Sequence, residues 1–455
     1  MIALRPNQSA LVAAVRQAFT AHRNVLMVAP TGFGKTITFS WLAQSVMAKG
    51  KRVYILVHRE ELIDQVSRTL LDFNVPHGFI AAGRLCKPQQ VMVCSVFTLA
   101  NRLNDHHPPD LLIIDEAHHA TQGSTWGRVL KHWPAAYKLG VTATPIRLDG
   151  RDLRAAFDTM VEGPTVGELI AGGNLSPYRM FTPPVVLGRL RMRMGDYAKA
   201  DLSTAMDKPQ VVGNAVDHYR RLAPGKRALA FCVSLEHAEH TAEAFRAAGF
   251  AAARIDGQMD RAARRRLVEA FTAGTTQVMT SCELVSEGFD LPAIEVAILM
   301  RPTASLGLYL QQVGRALRTF PGKEQALILD HAGNAGRHGL PDDEREWSLG
   351  DDESKRGKRK KPVTSLRTCG QCYAAAKPGT MVCAHCGWQW PVEAREVKQV
   401  EGELAEVDVD TKRVSAWKRM EVGQSKTYAA LVALEKQRGY RPGWATHVWN
   451  ARRRA

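Results

Sequence analysis

The chain has 455 residues, too long for a single compact core, so two or three domains are expected. Its 45% apolar and 23% charged content is that of a globular protein, and no apolar run approaches the roughly 18 residues of a membrane span. The formal net charge of +16 favours a polyanionic partner such as nucleic acid, although a generally basic surface would give the same balance. The amphipathic N-terminal stretch shows no signal-peptide cleavage pattern, so an intracellular, soluble protein is expected.

In chain order, continuous apolar runs at Val25–Val28, Val53–Val57, Val91–Cys94, Leu111–Ile114 and Lys138–Val141 predict parallel strands buried on both faces. The first run feeds Ala29-Pro30-Thr31-Gly32-Phe33-Gly34-Lys35-Thr36, a variant of GxxxxGK[ST] with alanine at the first glycine position. A glycine-bearing loop between strand and helix directs backbone N–H groups at phosphate oxygens, and the helix N-terminus adds partial positive charge. Thr31, Gly32 and Gly34 would shape that cradle for ATP, Lys35 would reach the β- and γ-phosphates, and the Thr36 hydroxyl would face Mg²⁺.

Asp115-Glu116-Ala117-His118 follows the fourth run, at the strand end where open α/β sheets bind ligands. Asp115 is the second candidate for Mg²⁺, and Glu116 the candidate that orients and deprotonates the attacking water. Thr142-Ala143-Thr144-Pro145 is a turn whose hydroxyls can link the nucleotide site to a neighbouring surface.

A Pro/Gly-rich stretch, 163–188, reads as the boundary to a second α/β sheet built on Ala228–Cys232, Gln277–Thr280, Val296–Met300 and Ala326–Leu329. The second half then gives Ser286-Glu287-Gly288-Phe289-Asp290-Leu291-Pro292 and Gln311-Gln312-Val313-Gly314-Arg315-Ala316-Leu317-Arg318. Arg315 and Arg318, three apart on one helical face, can reach a γ-phosphate held by the other domain; a surface pair making ordinary salt bridges is the plainer reading.

Residues 336–362 lack an apolar period and end in Lys355–Lys361, which predicts a charged flexible linker. Beyond it, of eight cysteines, Cys369 and Cys372 face Cys383 and Cys386 as two CxxC pairs separated by ten residues. Two such knuckles can supply four tetrahedral thiolates to Zn²⁺. Two disulfides or redox thiols are the alternatives, disfavoured by an intracellular setting and by the lack of a strand–CxxC–helix context. His385 lies between two of these cysteines and could compete as a ligand. Tyr373, Trp388 and Trp390 could stack bases or fill the core of a domain this small. The last stretch, 393–455, mixes aromatic and basic residues and ends as a short helical segment.

Taken together and in this order, the motifs resemble those of the superfamily 2 helicases of DEAD/DEAH-box type, and within them the RadD-like repair-associated ATPases of bacteria. The second likeness rests on Leu4–Gln8, Gly140–Leu148, Ile298–Thr303 and Leu329–Asn334. The resemblance covers about residues 1–335. It implies two tandem RecA-like parallel-sheet domains, 1–165 and 195–335, joined by a linker region 166–194 and followed by a zinc ribbon over 363–392. It assigns adenine recognition to Gln8, further nucleotide contacts to Gly288 and Asp290, and nucleic-acid contacts to His58, Arg59, Ser95 and Thr98. It also implies closure of the interdomain cleft to bring Arg315 and Arg318 onto ATP bound at Lys35.

The implied activity is ATP-dependent movement along DNA, single-stranded or branched, in repair, recombination or replication. The setting would be the cytoplasm of a bacterial cell or a phage-infected host, with a single-strand-binding or recombination protein as a candidate partner. A degenerate, non-enzymatic nucleic-acid adaptor, an RNA-directed motor and the motor subunit of a nuclease system are the competing readings. The presence of Lys35, Glu116 and Arg315 weighs against the first.

Overall fold

The computed structural model describes residues 3–120, 124–145, 153–182, 190–193, 195–282, 294–350, 366–391, 421–422, 424–425 and 427–454. The chain divides into two compact units, residues 1–391 and 392–455.

The first unit contains two parallel sheets. Its first sheet comprises β1 (Asn24–Val28), β2 (Val53–Val57), β3 (His77–Ile80), β4 (Val91–Ser95), β5 (Leu111–Asp115), β6 (Tyr137–Thr142) and β7 (Thr159–Glu162). The order is β3-β4-β2-β5-β6-β1-β7. Because β1 and β5 flank β6, with Val28 beside Thr142 and Asp115 beside Val141, the loops after the three strands open at one level. Every residue of β2 and β5 is buried, as expected for central strands covered by helices on both faces.

The second sheet takes β8 (Tyr178–Phe181), then, after a small antiparallel ribbon of β9 (Met192–Arg193) and β10 (Asp196–Tyr197), β11 (Ala228–Phe231), β12 (Ala252–Ile255), β13 (Val278–Ser281), β14 (Val296–Leu299) and β15 (Ala326–Asp330). Its order is β12-β13-β11-β14-β15-β8, again parallel. Strand β8 lies inside the stretch expected to be an interdomain linker, so the second sheet recruits chain from before residue 195.

Two further stretches differ from the expected flexible linker. Residues 334–338 form a helical turn after β15. Segment 339–350 returns to the first sheet's helical layer: Leu153 N donates to Leu349 O at 2.8 Å, and Trp347 and Leu349 pack against the cluster holding Leu153 and Phe157. Three large apolar side chains (Leu340, Trp347, Leu349) among the charges supply the burial that holds it. The basic run Lys355–Lys361 and the motif Ser286–Pro292, with Gly288 and Asp290, lie outside the described residues.

The cysteine-bearing segment forms its own two-stranded ribbon, β16 (Arg367–Thr368) and β17 (Ala375–Ala376). It docks on β8: Thr182 N donates to Tyr373 O at 2.9 Å and Phe181 bridges to Ala374. Cys369, Ala374, Cys383 and Trp390 share one buried cluster with Phe181 and Leu329, so the ribbon completes the core on that side of the second sheet.

The second unit, taken by itself, pairs helices Tyr428–Arg438 and Trp444–Arg454. Thr427 caps the first helix, Gly439 ends it in the left-handed conformation, and Glu435 accepts from Ala445 N at 2.6 Å. Among the described residues no helix is long and apolar enough to cross a membrane.

Candidate ATP site and nucleic-acid face

The loop after β1 turns through two glycines with φ of 90° at Gly32 and 94° at Gly34, a region that L side chains rarely adopt. Gly34 caps the helix Lys35–Met47, so free N–H groups of the first turn point out of the helix end. Space reinforces the choice: a Cβ on Gly34 would stand 2.6 Å from Gln8 Nε2, and one on Gly32 2.7 Å from Leu175 Cδ2.

Gln8 is buried behind the loop, donating to Phe33 O at 3.0 Å while its Oε1 accepts from Arg5 N at 3.0 Å. In this state the side chain expected to read the base braces the phosphate loop and does not line the cavity in front of it.

That cavity has a volume of about 450 Å³. The first sheet contributes Thr31, Gly32, Gly34, Lys35, Thr36, Asp115 and Glu116; the second contributes Gln311, Arg315 and Arg318. Lys35 Nζ donates to Ala29 O at 3.2 Å and Pro30 O at 3.4 Å. Burial lowers the Lys35 pKa, Glu116 and Asp115 pull it back up, and Arg318 and Arg315 add to the lowering. Four cationic side chains (Lys35, Arg68, Arg315, Arg318) against three carboxylates (Asp72, Asp115, Glu116) leave the lining net positive by one, which suits a polyphosphate.

The carboxylates are held stiffly. Glu116 has φ 49°, a left-handed conformation costly for a non-glycine residue, and its N–H donates to Asp115 Oδ1 at 3.0 Å. Glu116 Oε2 lies 3.4 Å from His118 Nδ1, which is 3.2 Å from Thr142 Oγ1. Thr142 Oγ1 in turn donates to Thr144 O at 2.9 Å. A Cβ on Gly307, at the start of the second domain's helix Leu306–Ala316, would stand 2.8 Å from Thr144 Oγ1. The Thr142–Thr144 turn therefore connects the candidate base to the opposite domain.

Other contacts across the cleft have no sequence signal. A Cβ on Gly314 would stand 2.6 Å from Thr31 Cβ, so the arginine-bearing helix rests directly on the phosphate loop. Leu175 touches the Gly32 position and its backbone bridges to Arg318. Arg264 pairs with Glu61 at 3.0 Å.

On the neighbouring face, His58 and Arg59 follow β2, and Ser95 ends β4 with Thr98 on the short helix after it. Arg59 Nε donates to His58 Nε2 at 3.3 Å. The His58 ring lies 5.1 Å from His119, which lies 4.1 Å from His118. The four residues assigned to nucleic acid thus emerge from the adjacent strands β2 and β4, and ring contacts join His58 to the Glu116 loop. His119 was not singled out by sequence; its position directly after Asp115–His118 was the available signal.

Cys369, Cys372, Cys383 and Cys386 bring their sulfurs within 4.8 Å of one another. Cys369–Cys386 and Cys372–Cys383 Sγ separations of 3.6 and 3.7 Å match the edge of about 3.8 Å of a tetrahedron built on Zn–S bonds of about 2.3 Å. The donor set fits Zn²⁺. His385 Nδ1 instead meets Arg179 Nη1 on β8, at 2.8 Å.

Residues 1–147 match the family model for the type III restriction enzyme res subunit, and residues 207–320 that for the helicase conserved C-terminal domain. The chain is 32% identical over 381 residues to the "51.5 kDa protein" of a Lactococcus phage, covering 83% of this chain and 81% of that protein. The chain belongs to the superfamily 2 helicases. Like them it is a nucleic-acid-dependent ATPase with two parallel-sheet domains.

It is also 30% identical, over 77% of its length, to "Putative mitochondrial ATP-dependent helicase irc3" of Schizosaccharomyces pombe, spanning 61% of that protein. Among solved structures, the fragment of "a putative HsdR subunit of a type I restriction enzyme" from Vibrio vulnificus YJ016 shares the fold with a TM-score of 0.60 at 21% identity. That alignment covers 74% of this chain and 66% of the fragment. The DNA-bound type ISP restriction-modification enzyme LlaBIII gives a TM-score of 0.54 at 17% identity, covering 72% of this chain and 27% of that enzyme.

Proposed function

We propose that this superfamily 2 protein is an ATP-driven DNA translocase or helicase acting on single-stranded or branched DNA in repair, recombination or replication. The observation that carries the reading is the cavity in which Lys35, Asp115 and Glu116 of one sheet face Arg315 and Arg318 of the other. Lys35 and the loop N–H groups bind the phosphates; Glu116 orients the attacking water and accepts its proton as the bond to the γ-phosphorus forms. Arg315 and Arg318 neutralise charge that passes to the leaving diphosphate oxygen. Thr36 and Asp115 would hold Mg²⁺, which supplies charge neutralisation on the phosphates. Gly288 and Asp290 would add nucleotide contacts from the second domain.

The turn from Glu116 through His118 and Thr142 to Thr144 supports coupling of hydrolysis to domain movement. His58, Arg59, Ser95 and Thr98 would take the strand backbone. The charge of +16 supports a phosphate-tracking path. Residues 1–165 and about 178–335 would form the two motor domains, with the zinc-binding ribbon seated on the second. A motor subunit of a nuclease system is the second reading, favoured by the likeness to restriction-enzyme subunits.

ATPase measurements with single-stranded, duplex and forked DNA and with RNA as separate activators test the proposal. Greater stimulation by RNA than by every DNA would overturn it, and co-purification with a nuclease partner would move the assignment to the second reading.

A further inference from the structure

Five residues beyond Arg318 lies a lysine that the ATP chemistry does not use directly. Gly322, at φ 83°, turns the chain back so that Lys323 points under the end of the arginine-bearing helix. Its ammonium donates to Arg318 O at 2.8 Å, to Ile294 O at 2.9 Å and to Ala316 O. All three N–H donors are therefore spent on backbone carbonyls, two of them belonging to residues that flank or carry the arginine pair. The last carbonyls of a helix have no partners within it, and a cation there also answers the helix dipole. Ser176 takes part from the other side, its N–H donating to Leu317 O at 2.8 Å.

We propose that Lys323 is a positioning residue for ATP hydrolysis: by gathering the carbonyls of Ala316 and Arg318 onto Ile294 it fixes the angle at which Arg315 and Arg318 enter the ATP cavity. The inference rests on the role given above to those two arginines. Ile294 lies two residues before β14, so the same ammonium ties the arginine turn to the approach to that central strand.

The setting makes the clamp sensitive to pH. Burial pushes the Lys323 ammonium down to about 8; Glu295 opposes that shift, and Arg227 and Lys226 add to it. These three are the charged groups that face it, with the Phe320 ring 5.5 Å away. Below about pH 8 the ammonium carries three donors; as pH rises past that point it becomes an amine with two donors and a lone pair aimed among carbonyl oxygens.

The test compares the full chain with Lys323→Met, Lys323→Arg and Arg315→Ala in steady-state ATP hydrolysis at saturating DNA and ATP, scanned through pH 8, with ATP binding measured separately. Lys323→Met should lower kcat about tenfold or more while leaving ATP affinity unchanged, since the phosphate loop is untouched. The unaltered chain should lose kcat as pH rises through about 8, and Lys323→Arg, whose guanidinium stays charged, should lack that alkaline fall. Full kcat in Lys323→Met beside an inactive Arg315→Ala would overturn the clamp and leave the arginine mechanism standing. Full activity in Arg315→Ala would instead remove the arginine mechanism itself. Should Lys323→Met fail to fold, the pH profile of Lys323→Arg decides: an alkaline fall like that of the unaltered chain overturns the proposal.

Discussion

Gly314→Ala separates folding from catalysis more cleanly than any active-site substitution. Gly314 sits inside the helix Leu306–Ala316, where alanine is preferred over glycine by about 1 kcal/mol. The added methyl, however, would stand 2.6 Å from Thr31 Cβ and 2.8 Å from its Cγ2. Carbon atoms pack at about 3.5–4.0 Å, so the helix must rise from the phosphate loop by about 1 Å. Neither contact atom lies at the end of a long side chain that could swing aside. A displacement of about 1 Å at reacting groups costs on the order of 100-fold in rate, or about 2.7 kcal/mol of barrier.

The expected result is a melting temperature lowered by a few degrees at most, because about 1–3 kcal/mol of overpacking is partly offset by the ~1 kcal/mol helix preference, with ATP affinity within about threefold and kcat lowered on the order of 100-fold. Steady-state ATPase at saturating DNA, nucleotide binding and a melting curve measure the three quantities. A kcat within about threefold of the unaltered chain would refute the contact between Thr31 and Gly314 as the seat of catalytic alignment.

Glu116→Gln should still bind ATP yet lose several orders of magnitude in kcat; near-normal turnover would remove Glu116 as the group that activates water. The purified protein should carry one zinc per chain, and Cys383→Ser with Cys386→Ser should abolish it. Because Cys383 belongs to the second sheet's core, that pair should also lower the melting temperature by at least about 5 °C, where an independent appendage would leave it unchanged. Arg59→Ala should weaken binding to many DNA sequences alike and flatten the dependence of affinity on salt by about one phosphate; an unchanged slope in a salt titration would take Arg59 off the strand path.

The chemistry of the site was legible because it depends on residue types at fixed spacing: a glycine loop before Lys35, carboxylates at a strand end, two arginines one helical turn apart. The strands were legible in the middle of each sheet and not at its borders. Within the two large sheets, the four strands that hydropathy missed, β3, β7, β8 and β12, are the four edge strands. The described burial explains it: β2 and β5 are buried throughout, whereas β7 and β12 are mostly half-exposed and β3 alternates. An edge strand has helices over only part of its faces, so its apolar run is broken and resembles a loop. Segment 339–350 escaped for a related reason, since Trp347 and Leu349 are isolated among charges and their partners lie near residue 153. Thr31 meeting Gly314, and Lys323 turning back on Arg318, depend on where two domains meet or how one loop folds, which no local pattern encodes.

The seat of the cysteine ribbon on β8 has a bearing on how this protein would keep in solution. An uncovered outer strand offers a row of unpaired N–H and C=O groups to any other chain, and proteins blunt such borders with cover. Here Tyr373 and Ala374 occupy that row at Phe181 and Thr182. Chelation would thus do more than remove an ion. It would loosen the cover, free the C-terminal end of the β8 border at Phe181 and Thr182 for pairing between molecules, and turn loss of metal into self-association on storage.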